Sequence, residues 1–323
     1  MSAGERYPEG RGSFIRMDFN EGPAPGPDLL SVDLGDCLSR YPEYGALKEC
    51  AARAYGVEPE CLVPVNGADE GILLLQRILA GGGMVLPVPA FSMYRVYADQ
   101  LGVPITEVPM DADWDLDVEG VLAAEGSMVA LTSPNNPTGR RISEEALLRI
   151  LAQGRPVLLD ETYGPYCGQD FAGLLGAWPN LVIVRTLSKA YGVPGLRCGF
   201  ILASRELAER LDAVRSPFNV NAVAAALGVR LLERDTRFGD RVSAAVAARR
   251  ALQDRLEGAG YRTIPSDAHF FLAELGPGAA ARLREANILV RDMGPSMAGW
   301  CRVSVASTAD AACFETAFLG GRP

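Results

Sequence analysis

The chain has 323 residues, 48% of them hydrophobic, enough for one large or two moderate domains with buried cores. Its 31 basic and 40 acidic residues give a net charge of −9 with no basic run, which argues against a nucleic-acid or anionic-membrane partner. The opening MSAGERYPEG lacks the apolar core of a signal peptide, and the seven cysteines form no CxxC pair, so a soluble cytoplasmic protein without a metal site is expected.

In chain order, IRMDFNEG precedes the first sheet strand and suits packing against either of two domains. From residue 45 to 203, short β-branched runs then alternate with helical patterns. CLVPV is followed by GADEGILLLQRILA, MVLPV by FSMYRVYADQLG, and MVALTS by SEEALLRILAQG, before PVLLDE and LVIVRT. Continuous apolar strands separated by amphipathic helices predict a parallel sheet covered on both faces. The most apolar stretch, GILLLQRILAGGGMVLPV, is broken by Gln76, Arg77 and glycines well short of a membrane span. After about residue 205 a long helical run, from NAVAAALG to DRLEGAG, gives way to YRTI, HFFLAEL, ILVRD and CRVSVAS with helices between. That texture predicts a second, smaller α+β domain.

Three consecutive strands of the first domain end in reactive side chains. MVALTS runs into PNNPTG with Asn135 and Asn136, PVLLD ends at Asp160 with Tyr163 close behind, and LVIVRT ends at Thr186, Ser188 and Lys189. Right-handed crossovers bring such loops to one edge, beyond the carboxyl ends of the strands, where ligands of these sheets bind. A carboxylate, an amide, a phenol, hydroxyls and a lysine on one cleft match the needs of pyridoxal phosphate. The carboxylate keeps the pyridine protonated, the lysine forms a Schiff base, and the hydroxyls, Arg197 and a helix start hold the phosphate. NGADEGILLL supplies that helix start, with Gly67 permitting close backbone approach and Asp69 able to cap. No GxGxxG or GxxxxGK[ST] pattern competes for the reading.

SPNNPTG, DETY and RTLSKAYGVPGLRCGF together resemble the signature blocks of fold-type I pyridoxal-phosphate aminotransferases, and more narrowly of the histidinol-phosphate aminotransferase group. RYPEY, VNGADE, PVPAFSMYR, RSPFNVN and the ILVRD and CRVSV pair extend the likeness over nearly the whole chain. The resemblance implies an α/β fold: a large domain over 36–213 with a mostly parallel seven-stranded sheet flanked by helices. A smaller α+β domain would comprise 1–35 and 214–323. Lys189 is the implied Schiff-base lysine and proton carrier, Asp160 the partner of the pyridinium, and Asn136 and Tyr163 the ligands of the ring oxygen. Phe91 would stack on the ring. Gly67, Ala68, Asp69, Thr186, Ser188 and Arg197 would surround the phosphate. Tyr41 resembles a tyrosine donated to the neighbouring subunit's phosphate site, which implies a homodimer with shared sites. Arg302 resembles the clamp on the substrate carboxylate, and Arg291 and Tyr7 stand where the substrate's own phosphate is recognised.

Simpler readings exist for several of these residues. Asp160 alone would serve as a helix cap, Arg302 as a strand-edge arginine, and Asn135 as a turn former. Arg291 and Tyr7 have equally plain structural readings, and Tyr94, Arg95 and Tyr97 fall at helical spacing as packing or surface groups. His269, the single histidine, reads as a buried or interfacial hydrogen-bonding group, since Lys189 already supplies the mobile proton. The expected reaction is ping-pong transamination, with glutamate as donor and imidazole-acetol phosphate as acceptor. Two alternatives stay open: decarboxylation of threonine phosphate or transamination of aromatic or specialised substrates, and a non-catalytic cofactor-binding protein. NEGPAPG and VSVAST depart from the family's usual runs, and both bear on the substrate pocket rather than the cofactor site.

Overall fold

The computed structural model describes residues 10–320. Eleven strands are defined among them: β1 Ile15–Met17, β2 Leu62–Val65, β3 Met84–Val88, β4 Ile105–Pro109, β5 Met128–Thr132 and β6 Val157–Asp160. There follow β7 Leu181–Thr186, β8 Gly199–Leu202, β9 Phe270–Glu274, β10 Ile288–Asp292 and β11 Trp300–Ser304. Seven form one sheet in the order β2-β8-β7-β6-β5-β3-β4, parallel except for β8, which runs antiparallel to both neighbours. Its central strands β6 and β7 are buried at every residue because helices cover both faces, and their apolar runs over residues 157–159 and 181–184 follow from that. At the edge, β4 instead exposes Thr106, Glu107 and Pro109, which discourages further strand pairing.

Strand order determines where a ligand binds. The chain passes from β3 outward to β4, then crosses back to β5 on the other side of β3 and continues to β6 and β7. The reversal opens a crevice at the carboxyl ends of β3 and β5. The β7–β8 connection is a loop that leaves at Thr186 and returns at Gly199, two residues paired in register. Lys189 and Arg197 therefore lie on the two limbs of one loop at the same sheet edge.

The other four strands form a sheet in the order β1-β10-β11-β9, with β1 parallel to β10 and the remaining pairs antiparallel. Its core gathers Met17, Phe271, Val303 and Phe314. The long helical run is divided into Ala222–Arg234 and Phe238–Gly258, with Asp235 at the break paired to Arg241. Asn221 caps the first of these helices, accepting from Ala224 N at 2.8 Å. That helix packs its Ala224, Ala225 and Leu231 into the core of the larger sheet, although it falls within the 214–323 segment. Among the described residues no helix is long and apolar enough to cross a membrane.

Candidate active site

A cavity of about 410 Å³ lies beyond the carboxyl ends of β3, β5, β6 and β7. Lys189, Asp160, Asn136, Tyr163, Phe91 and Arg302 line it, as do Ala68, Asp69, Thr186, Ser188 and Arg197. Residues separated by more than two hundred positions in the chain thus meet in one space.

Lys189 Nζ donates to the carbonyl of Phe19 at 2.7 Å. Burial, reinforced by the Arg302 charge, lowers its amine to about 8. About one in ten such amines is neutral at pH 7, where an exposed lysine is almost wholly charged. Asp160, 4% exposed, accepts from Thr162 N at 2.9 Å and from the Tyr94 hydroxyl at 3.3 Å. Burial raises its pKa, and the hydrogen bonds from Thr162 and Tyr94 only partly offset the effect.

The two donors expected at the ring oxygen are each polarised by a neighbour. Arg302 donates to Asn136 Oδ1, so the amide NH₂ of Asn136 is the end left for another acceptor. Tyr163 Oη accepts from Asn20 Nδ2 at 2.9 Å, and burial pushes its phenol to about 12, so it stays protonated. Arg302 also donates to the carbonyl of Asp18.

At the phosphate end, Arg197 takes the left-handed conformation (φ 56°) and lays its guanidinium across the start of the helix Gly67–Leu79. Gly67 sits at φ 73°, where an L side chain is strained, and a Cβ there would stand 2.4 Å from Arg197 Nη2 and push the guanidinium aside. Asp69 does not cap: the N-cap residue is Asn66, without a side-chain cap bond, and Asp69 pairs with Arg197 at 2.7 Å. Thr186 Oγ1 and Ser188 Oγ lie 3.0 Å apart, with Arg197 Nη1 3.4 Å from the serine. A guanidinium, two hydroxyls and the first N–H groups of a helix make an anion cradle.

These residues fit pyridoxal phosphate. Asp160 is a buried carboxylate with no cation paired to it among the described residues, and the protonated pyridine nitrogen supplies one. The cradle at Gly67 suits the phosphate, and a lysine whose amine is lowered to about 8 faces the same cavity.

The remaining expected residues are placed differently. Arg291 borders an adjoining hollow together with Phe19, Phe91, Asn136 and Arg302. Tyr41 is 75% exposed and stacks on Phe218 at 4.2 Å, and it does not line the cavity of its own chain. Tyr7 falls outside the described residues. His269 is fully buried and stacks on Tyr166 at 4.2 Å, beside the backbone of Asn20 and Glu21. Burial, and then the Lys189 charge, lowers its imidazole to about 3, so it is neutral at working pH.

Two contributors escape sequence reasoning. Tyr94, which reads as a packing residue, reaches Asp160, and Asn20 reaches Tyr163. The strap Asp18–Pro23 crosses the site and is pressed against the lysine loop. A Cβ on Gly22 would come within 1.8 Å of the Lys189 carbonyl and 2.6 Å of Tyr166 Oη, and one on Gly192 within 2.1 Å of the Pro23 carbonyl. Gly22→Ala should therefore destabilise the protein by about 1–3 kcal/mol through overpacking against backbone, and lower kcat/KM by roughly tenfold as the strap lifts. Thermal unfolding and steady-state kinetics together check this, and a neutral substitution would contradict it.

Comparison with known proteins agrees with the geometry. The description of aminotransferase class I and II matches residues 32–317. A histidinol-phosphate aminotransferase of Thermococcus gammatolerans is 36% identical over 301 residues, covering 90% of this chain and 87% of the relative. A histidinol-phosphate aminotransferase of Sinorhizobium meliloti solved with pyridoxal-5'-phosphate superposes with a TM-score of 0.85 at 24% identity, over 94% of this chain and 89% of the other. L-threonine-O-3-phosphate decarboxylase of Porphyromonas gingivalis gives 0.80 at 25% identity, over 95% and 98%. With a sequence match spanning nine-tenths of its length, the chain belongs to the aminotransferase class I and II family, in its histidinol-phosphate aminotransferase group.

Proposed function

We propose that this pyridoxal-phosphate enzyme transfers an amino group between L-histidinol phosphate and 2-oxoglutarate, in two half-reactions on one site. The observation that carries the substrate reading is a pair of arginines. Arg291 and Arg302 stand directly opposite in the β10–β11 register and border the same hollow. Opposed residues in a ladder project to one face, and like charges there repel. An anionic substrate turns that repulsion into attraction, and a phosphate or a second carboxylate suits the further of the two cations.

Bound pyridoxal phosphate supplies an electron sink for the charge that develops at the substrate α-carbon. With that group bound, Lys189 Nζ would hold and move the substrate's α-proton, as its lowered amine permits. Asp160 would hold a negative charge for the pyridine nitrogen, Asn136 and Tyr163 would supply donors for the ring oxygen, and Arg302 would orient the substrate. Tyr163, Arg302 and Phe91 line the same cavity as Lys189.

The exposed apolar surface of Leu34, Leu38, Tyr41 and Phe218 supports a homodimer in which Tyr41 reaches the partner's phosphate cradle. Seven free cysteines suit a reducing, cytoplasmic setting.

Mixing the loaded enzyme separately with L-glutamate, L-histidinol phosphate and L-threonine phosphate tests the assignment. The first two should bleach the visible cofactor band in single-turnover fashion, and glutamate should yield 2-oxoglutarate. Carbon dioxide released from threonine phosphate would favour decarboxylation instead. A coloured enzyme inert to every amine would indicate binding without catalysis.

A further inference from the structure

Asn20 is 1% exposed and holds a left-handed backbone (φ 53°), a strained conformation that asparagine tolerates better than most side chains. Its hydrogen bonds fix the direction of every proton around it. The backbone N–H of Asn20 donates to Ser304 Oγ at 3.1 Å, so the serine's own hydrogen must go elsewhere. It goes to Asn20 Oδ1 at 2.6 Å. With its carbonyl end taken, the amide presents its NH₂ to Tyr163 Oη at 2.9 Å. The phenol oxygen accepts there, and its single proton is left to point away from Asn20. Ser304 and Tyr163 are themselves buried, so water does not compete for these positions.

We propose that Asn20 is a positioning residue: by donating to Tyr163 it compels that phenol to donate into the cavity, to the cofactor's ring oxygen. This rests on the cofactor-bound reading given above. Arg302 likewise occupies Asn136 Oδ1, which leaves the NH₂ of Asn136, lining the same cavity, as a second donor for that oxygen. A donor on that oxygen stabilises its anionic form and lowers the pH at which the bound chromophore gives up its proton.

Asn20→Asp tests the proposal in the cofactor-loaded protein, because aspartate keeps the shape and tolerates the backbone but can only accept. The Tyr163 proton then turns back toward residue 20, and the ring oxygen loses its donor. The midpoint of the visible absorbance titration should rise by about one pH unit, and Tyr163→Phe should raise it by a similar amount. In the Tyr163→Phe background, Asn20→Asp should add little. An equal added shift there would mean that the new charge acts by itself, which overturns the proposal, as does an unmoved midpoint in folded, coloured Asn20→Asp protein. Ser304→Ala frees the amide to flip and should shift the midpoint the same way by a smaller amount. If Asn20→Asp does not fold, the serine variant decides, and an unmoved midpoint in it overturns the proposal. Failure of the cofactor reading is recognisable separately, as wild-type protein with no visible band at any pH.

Discussion

Lys189→Ala should lower turnover by on the order of 10⁴-fold while leaving a folded protein. Among the described residues the variant loses the only amine that lines the cavity, and with it the group proposed to carry the α-proton. The structural loss is small. Among the described residues Lys189 Nζ donates to the carbonyl of Phe19, and losing such a bond costs about 1 kcal/mol. The phosphate cradle of Gly67, Ser188 and Arg197 is untouched, so the variant should still bind the cofactor, but release it on gel filtration where the wild type retains it. Borohydride should fix the cofactor to a peptide containing Lys189 in the wild type and to none in the variant. Undiminished turnover would refute the assigned role.

Lys189, Asp160 and Asn136 are legible in the sequence for a common physical reason. Each lies at or just past the carboxyl end of an apolar strand, so the parallel sheet brings them to one edge, and local patterning suffices to find them. Asn20 and Tyr94 are different. Asn20 reaches Tyr163 across 143 positions, through a strap whose path depends on two glycines meeting backbone, and nothing in DFNEG signals that crossing. Tyr94 lies at helical spacing behind Phe91, where periodicity announces burial without showing that its hydroxyl ends at a carboxylate. Asp69 shows the converse: its place in the first helical turn suits a cap, yet Arg197, returning from β7, supplies a stronger partner. A parallel sheet follows from the five apolar runs, and its seven strands follow from the resemblance alone. The antiparallel insertion of β8 does not, because GFIL carries no mark of direction. The break at Asp235 likewise lies in a run that reads as continuous helix, and the Arg241 pairing that accompanies it is tertiary.

Asp160→Asn should separate function from stability in opposite directions. In the cofactor-free protein Asp160 is a buried carboxylate with no cation paired to it among the described residues, and its pKa is raised by burial. A folded-state pKa above the unfolded value means that the native chain holds the proton more tightly. The ionised group therefore costs stability at pH 7, and that cost vanishes as pH falls below the ordinary carboxylate range. Asparagine removes the charge and keeps the shape. Thr162 N still donates to its oxygen, and the Tyr94 oxygen can accept from its NH₂. The midpoint of thermal unfolding of the cofactor-free variant should rise by roughly 1–3 °C at pH 7 and match the wild type near pH 4. With cofactor present the order reverses. The variant no longer places a negative charge opposite the pyridine nitrogen, so the ring withdraws electrons weakly, and turnover should fall on the order of 10³-fold. The stabilisation that added cofactor gives the wild type should shrink in parallel, since the amide cannot reward a bound cation. Calorimetry with and without pyridoxal phosphate at the two pH values, set beside turnover, measures all of this. A variant less stable than wild type in the cofactor-free state at pH 7 would show that the carboxylate serves packing rather than the cofactor.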